Sequence, residues 1–388
     1  MGEHLLYRIP LGGIVSVRDR LLELQAKGRK VYRLESGDPS FSIPDHVRLA
    51  MIKALEAGHT HYTAGAGIQP LREAAARKMV EENRIALRGS NSVFVTNGAM
   101  HGLYVVFRAL LEPGDEVLLP DPTWTETFDN VSLAGGVPVR VRLDPECGYR
   151  YQAERIEAAI TARTRALVIN SPHNPTGLVL DRAELQAILK VAERRGLWVV
   201  SDEAYEHVLY DGREHVSAGS LGYEKVISIF SMSKSYAMSG LRVGYLACND
   251  ERIAERLVKL LRCTINGVNS VAQHGAVAAL TGPQDATRAM AAEYQKRRDA
   301  LWSALQGVTL LHPFKPQGAF YLWARIDEGW AGGRRGWDMT DFLLERGIGS
   351  APGEVFGPSG AGHIRFAFSC STEQVVAGAV ALEQALKG

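Results

Sequence analysis

Long apolar runs are absent from this chain. No uninterrupted apolar stretch approaches the roughly 18 residues that a membrane-crossing helix needs, and the opening MGEHLLYRIPLGG has no apolar core of the kind a secretory signal carries. Cysteine is scarce: Cys147, Cys248, Cys263 and Cys370 are the four in 388 residues, and none forms a CxxC pair. That spacing argues against a disulfide framework and against a thiolate metal site. An excess of charge of one sign is missing too. The 44 basic and 43 acidic side chains leave a formal net charge of +1, with no basic stripe, so nucleic acid is not an expected partner. Together these absences predict a protein of the reduced cytoplasm with neither a membrane nor a nucleic acid as partner.

The apolar fraction of 46% and charged fraction of 22% are those of an ordinary globular protein. The length suits two domains rather than one small core. Neither an internal repeat nor a low-complexity segment is visible. Short apolar runs at Ser92–Thr96, Glu116–Leu119, Ala166–Asn170, Leu197–Ser201 and Lys225–Phe230 read as buried parallel strands. Between them lie helical stretches such as Asp181–Arg195, with Asp181 as N-cap and Gly196 as stop. Strands alternating with helices predict an α/β sheet covered on both faces. From about Glu293 a long charged helix is followed by GAFYLWARI and HIRFAFS, expected as strands of a smaller α+β unit. A helix at Val15–Lys27 is expected to pack on that unit.

Polar residues gather where the predicted strands end, the edge at which parallel α/β sheets bind ligands. The first group, Thr96-Asn97-Gly98-Ala99-Met100, stands between a strand and an apolar helix. Small residues there allow backbone N–H groups to approach an anion, although a plain turn would look the same. The second, Asn170-Ser171-Pro172-His173-Asn174-Pro175-Thr176-Gly177, has more fixed positions than a turn requires. The third, Ser201-Asp202-Glu203-Ala204-Tyr205-Glu206, offers a carboxylate that either caps a helix or faces a ligand. The fourth runs Ser231-Met232-Ser233-Lys234-Ser235-Tyr236-Ala237-Met238-Ser239-Gly240-Leu241-Arg242-Val243-Gly244-Tyr245. A lysine among small and hydroxyl side chains after an apolar strand is unlike the usual solvated lysine. Held away from water, its amine loses its proton more readily and can act as a nucleophile.

The second group matches the NSPxNPTG signature of aminotransferases, and the fourth resembles the SxSK…GxRxGY cofactor-lysine motif of class I and II aminotransferases. With the terminal strands, the four groups span nearly the whole length. The chain is thus similar to fold-type I pyridoxal-phosphate enzymes of the aspartate aminotransferase superfamily. The resemblance implies a large domain with a mainly parallel seven-stranded sheet and a smaller α+β domain. The expected divisions are 1–40 for an N-terminal segment packing on the small domain, 41–290 for the cofactor domain, and 291–388 for the small domain. The implied reaction is a ping-pong exchange between an L-amino acid and a 2-oxo acid, with the cofactor cycling between aldehyde and amine forms.

The resemblance implies a role for each matching residue. Lys234 is the Schiff-base lysine and proton shuttle. Asp202 keeps the pyridine nitrogen of the cofactor protonated, and Asn174 and Tyr205 bond its phenolic oxygen, which favours the charged phenolate. Trp124, in Asp121-Pro122-Thr123-Trp124, stacks on the ring, a core tryptophan being the bland alternative. The phosphate is held by backbone groups of Gly98, Ala99 and Met100, the hydroxyls of Ser231 and Ser233, and Arg242. The family often places Lys or Gln after the glycine pair; Met100 and His101 depart from this, so Met100 is expected to give backbone contact only. Tyr62, in His61-Tyr62-Thr63, resembles a tyrosine that reaches the partner subunit's phosphate in a homodimer with shared sites; otherwise it anchors a turn. Arg365 takes the substrate α-carboxylate, with backbone from Gly37; an internal salt bridge is its alternative. Arg262 reads as a solvated surface arginine, although some relatives place a substrate-reading arginine nearby. No metal is expected.

The sequence also admits a pyridoxal-phosphate carbon–sulfur β-lyase or synthase on the same scaffold. A third reading, the aminotransferase-like half of a bacterial regulator, is disfavoured because no basic winged-helix segment precedes the motifs.

Overall fold

A computed structural model describes residues 5–10, 12–333 and 335–387. Among these residues eleven strands are seen, in chain order: β1 (Val93–Thr96), β2 (Glu116–Asp121), β3 (Val137–Arg142), β4 (Thr164–Asn170), β5 (Trp198–Asp202), β6 (Val226–Ser231), β7 (Gly244–Ala247), β8 (Leu311–Phe314), β9 (Tyr321–Ile326), β10 (Ala351–Pro352) and β11 (His363–Ala367). The first seven form one sheet in the order β1-β7-β6-β5-β4-β2-β3. Pairing from β6 through β5, β4 and β2 to β3 is parallel. The mainly parallel seven-stranded sheet is therefore as expected.

The five expected strands are found to within two residues at each end. One detail differs from an all-parallel reading. The sole sheet neighbour of β1 is β7, and that pair is antiparallel, as is β6 with β7. Two strands of this sheet escaped notice in the sequence, as did β8 and β10 of the second sheet. β7 is four residues long and begins at the end of the lysine motif. β3 is an edge strand with mixed exposure, so it shows no continuous apolar run.

Local chemistry accounts for the helix at Arg182–Arg195. Asp181 accepts from the Glu184 N–H at 2.9 Å, and the Glu184 carboxylate accepts from the Asp181 N–H at 2.9 Å. The chain leaves the helix at Gly196 with φ +66°.

The second sheet is antiparallel, in the order β10-β11-β9-β8. Its inner face joins a core containing Leu301, Phe320, Leu322, Ile364, Phe366 and Leu382, all 0% exposed. The long helix before it begins earlier than expected, at Asp285, and runs to Leu305. The expected division at residue 290 thus falls within that helix. The first long helix is Gly13–Ala26. Its Val17 and Leu21 are fully buried against Leu344, and Arg20 pairs with Asp341 at 2.6 Å. The four cysteines are free thiols. No helix among the described residues is long and apolar enough to cross a membrane.

Candidate active site

Parallel pairing brings the C-terminal ends of β2, β4, β5 and β6 to one edge of the large sheet, and the end of β1 joins them because β7 intervenes in the opposite direction. Each end delivers part of one cavity, with a volume of about 320 Å³. Ala99 and Met100 come after β1, Trp124 after β2, Asn170 and Asn174 after β4. Asp202 and Tyr205 come at and after β5, and Ser231, Ser233 and Lys234 at and after β6. Across the opening stand Gly37, Tyr321 and Arg365.

Lys234 lies in the short helical turn Met232–Ser235. Its Nζ donates to the Gly37 carbonyl at 2.7 Å. Burial pushes its amine down to about 8, Asp38 opposing the shift and Arg242 and Arg365 adding to it. On the adjacent strand the Asp202 carboxyl moves the other way. Burial raises it to about 6, against a backbone bond from Ala204 at 3.1 Å. No Lys, Arg or His nitrogen lies within salt-bridge reach of Asp202 among the described residues. It is a desolvated carboxylate that lacks a cation, so a protonated ring nitrogen fits its need. The Asp202 carbonyl accepts from Asn170 Nδ2 at 3.1 Å, while Asn170 Oδ1 accepts from the Asn174 N–H at 2.8 Å. One asparagine thus ties together the loops of the second and third sequence groups. In the Asn174 loop, the peptide bonds before Pro172 and Pro175 are cis.

Arg365, in the middle of β11, is 1% exposed. It donates to Asn174 Oδ1 at 3.0 Å and to the Glu35 carbonyl at 2.9 Å, and its Nε has no partner among the described residues. Its guanidinium lies over the rings of Tyr321 and Phe356, 4.2 and 4.7 Å from their centroids. No carboxylate pairs with it among the described residues, so the internal salt bridge held open by the sequence is not found. A buried guanidinium held by neutral acceptors retains affinity for an anion. Tyr205 shares a 2.9 Å bond with the Tyr321 hydroxyl, and burial raises its phenol well above the usual range.

The phosphate-binding expectation has a physical basis in a crowded corner. Gly98 adopts φ +81°, and a Cβ there would run into the Arg242 guanidinium. Gly244, the first residue of β7, packs so closely on Gly98 and Ala99 that no side chain would fit. The helix Ala99–Leu110 therefore starts with its first-turn N–H groups beside the Ser231 and Ser233 turn. Ser231 Oγ accepts from the Ser233 N–H at 3.2 Å. Arg242 itself is exposed and bonded to the Ser239 and Asn97 carbonyls, at 2.6 and 3.5 Å, next to the cavity rather than lining it.

Tyr62 stands apart. It is 88% exposed and borders a separate groove with Asn266–Ser270, so it does not line this cavity. Arg262 is exposed on the helix Glu251–Thr264 and lines no part of the cavity. Sequence reasoning missed Tyr321, Asp38 and the N-terminal residues Ile14, Val15 and Arg18, all of which line the cavity. The GAFYLW run hinted at Tyr321. Nothing local marked Arg18.

The family described as aminotransferase class I and II matches residues 29–382. A probable aspartate/prephenate aminotransferase of Aquifex aeolicus is 36% identical over 381 residues, covering 96% of this chain and 95% of the relative. Among solved structures, an aspartate aminotransferase from Thermus thermophilus with maleate superposes with a TM-score of 0.92 at 34% identity over 100% of both chains. An alanine aminotransferase from Pyrococcus furiosus gives 0.94 at 32% identity, again over 100% of both chains.

Proposed function

The chain belongs to the class I and II aminotransferases and transfers amino groups, and from that premise we propose that it holds pyridoxal 5'-phosphate on Lys234 and exchanges the amino group of an L-amino acid with a 2-oxo acid. One observation carries this reading: neighbouring strand ends hold a lysine whose proton affinity is lowered and an aspartate whose proton affinity is raised, facing a buried arginine without a carboxylate partner. When bound, the cofactor supplies a carbonyl carbon that accepts the amino group and a ring that withdraws electrons.

The protein's part follows from its own groups. Burial lowers the proton affinity of the Lys234 amine to about 8, so its neutral form is far more accessible than that of a solvated lysine, and Nζ can take a proton from the substrate Cα and return it to the cofactor carbon. Asp202 would keep the ring nitrogen protonated. Asn174 and Tyr205 would donate to the phenolic oxygen, and Trp124 would cover the ring. The first-turn N–H groups at Gly98, Ala99 and Met100, with Ser231, Ser233 and Arg242, would hold the phosphate. Arg365 and the Gly37 backbone would fix the α-carboxylate and so orient Cα towards Lys234. Tyr62, exposed in one chain, suits a second copy's phosphate, which makes the working unit a homodimer. We divide the chain into an N-terminal segment (1–40), a cofactor unit (41–290) and a smaller unit (291–388), and assign it to the cytoplasm, a setting that agrees with four free thiols.

The comparisons do not favour the β-lyase reading, whose products separate it from amino-group transfer. Holoenzyme given an amino acid alone should convert its cofactor to the amine form, and a 2-oxo acid should restore the aldehyde. Release of pyruvate and ammonia from cystathionine without that conversion would refute the transfer mechanism.

A further inference from the structure

The roles above leave the substrate side chain without a reader. Three cationic side chains among the described residues line the cavity: Lys234, Arg365 and Arg18. The first two are committed to the cofactor and the α-carboxylate. Among the described residues, the one ion-pair partner of Arg18 is the adjacent Asp19, at 3.2 Å, with both side chains about half exposed, 48% and 58%. Such a pair between neighbours in solvent is worth little and yields easily to a better anion.

The helix Gly13–Ala26 is held in one rotation. Val17 and Leu21 are buried against Leu344, and Arg20 is tied to Asp341. Gly13 lies so close to Val355 and Trp337 that a Cβ would clash. With that side of the helix fixed, Ile14 and Val15 share a face with Arg18, one turn on, and all three reach the cavity. The helix thus presents an apolar patch followed by a guanidinium.

We infer that Arg18 is the side-chain specificity residue of this enzyme and receives the distal carboxylate of an acidic amino acid or of the matching 2-oxo diacid. This rests on the α-carboxylate reading of Arg365. The two arginines differ in a way that assigns the two ends of a diacid. Arg365 is fully buried and held by fixed acceptors, which suits the group every substrate shares. Arg18 is half exposed and held only by a neighbouring carboxylate among the described residues, which suits a group that only some substrates carry. The methylenes of the substrate would lie against Ile14 and Val15. Of the cavity's other lining, the aliphatic Met100 and Leu103 offer no side-chain donor, and Trp124 offers a neutral indole N–H rather than a charge. With a neutral donor, Arg18 turns back to Asp19 and water, so neutral amino acids are tolerated but not selected.

The test compares wild type with Arg18→Gln and Arg18→Glu. The holoenzyme half-reaction gives kcat/KM for glutamate and for alanine. The glutamate-to-alanine ratio should fall about 10- to 100-fold in Arg18→Gln, mostly through KM, and further in Arg18→Glu. A second readout needs no turnover. Succinate and propionate, which carry no amine, are titrated into holoenzyme by tryptophan fluorescence. The preference for succinate should shrink by about tenfold in Arg18→Gln. Ratios within twofold of wild type in both assays would overturn the inference, as would an equal loss for glutamate and alanine. If no amino acid converts the wild-type cofactor to its amine form, the amino-transfer reading fails and this inference falls with it. Conversion by every donor with unmoved ratios removes Arg18 alone.

Discussion

The loop that leaves β5 carries three carboxylates within five residues, and the structure treats them in opposite ways. Glu206 is buried in a closed cluster. Lys78 and Asn83 Nδ2 both donate to its Oε2, and Lys78 also donates to Asn83 Oδ1 at 2.8 Å. Burial alone would raise its carboxyl, but Lys78, then His207 and His215, pull it down to about 2. Glu203 is likewise satisfied by His215 and Ser217, at 2.8 and 2.9 Å. Asp202 has one backbone bond, no cation within salt-bridge reach among the described residues, and a carboxyl pushed up to about 6. The paired carboxylates of this segment are satisfied within the protein, and the unpaired one is the group assigned above to the proposed cofactor. Glu82, Glu206 and His207 come close enough together to suggest a metal site. However, His207 already bonds Glu82, and the Lys78 ammonium already neutralises Glu206.

The difference can be broken from either side. The largest effect belongs to Asp202→Ala, which should bind cofactor yet lose turnover by about four orders of magnitude, ~5 kcal/mol at 1.4 kcal/mol per tenfold. Near-normal kcat would reduce Asp202 to a cap on the Ala204 N–H. Lys78→Met should act on stability instead. Removing one partner of a buried pair costs about 3–5 kcal/mol, read as a shifted denaturant midpoint. The pH dependence follows the sign of the Glu206 shift. Its carboxyl is lowered from 4.5 to about 2 in the folded state, so its stabilisation is present above pH 4.5 and lost as pH falls towards 2. The variant should have lost that part of the acid transition. An unchanged midpoint would show that the cluster is not structural.

Arg365→Ala should lower kcat/KM by about 30- to 5000-fold, corresponding to about 2–5 kcal/mol, equally for two chemically different donors. Arg365→Lys should suffer less, since it keeps the charge without the fork. A loss confined to one donor would move Arg365 into side-chain recognition. Tyr62→Phe should have the smallest effect, a severalfold weaker hold on the cofactor in a protein that sediments as a dimer. A fully active monomer would contradict the shared site.

Much of this contrast was legible in the sequence, unevenly. The Arg182–Arg195 helix was readable because its capping box and glycine stop are local. The strands β2, β4, β5 and β6 were readable because burial on both faces makes them continuously apolar. The edge strand β3 and the four-residue β7 lack that signal, and the antiparallel place of β7 depends on partners far away in sequence. Composition alone could not separate Asp202 from Glu203 and Glu206. The resemblance singled it out, and the missing cation now supplies a physical reason. Arg365 was noticed as a charge in an apolar strand, whereas Arg18 reads as any surface arginine until the helix around it is docked.

The central claim is that Lys234, and no other lysine, carries the cofactor. Borohydride reduction of the holoenzyme followed by peptide mapping tests it most directly. The pyridoxyl adduct should appear on the peptide containing Lys234 and vanish in Lys234→Ala. An adduct on another lysine of the wild type, or one that persists in the variant, would contradict it.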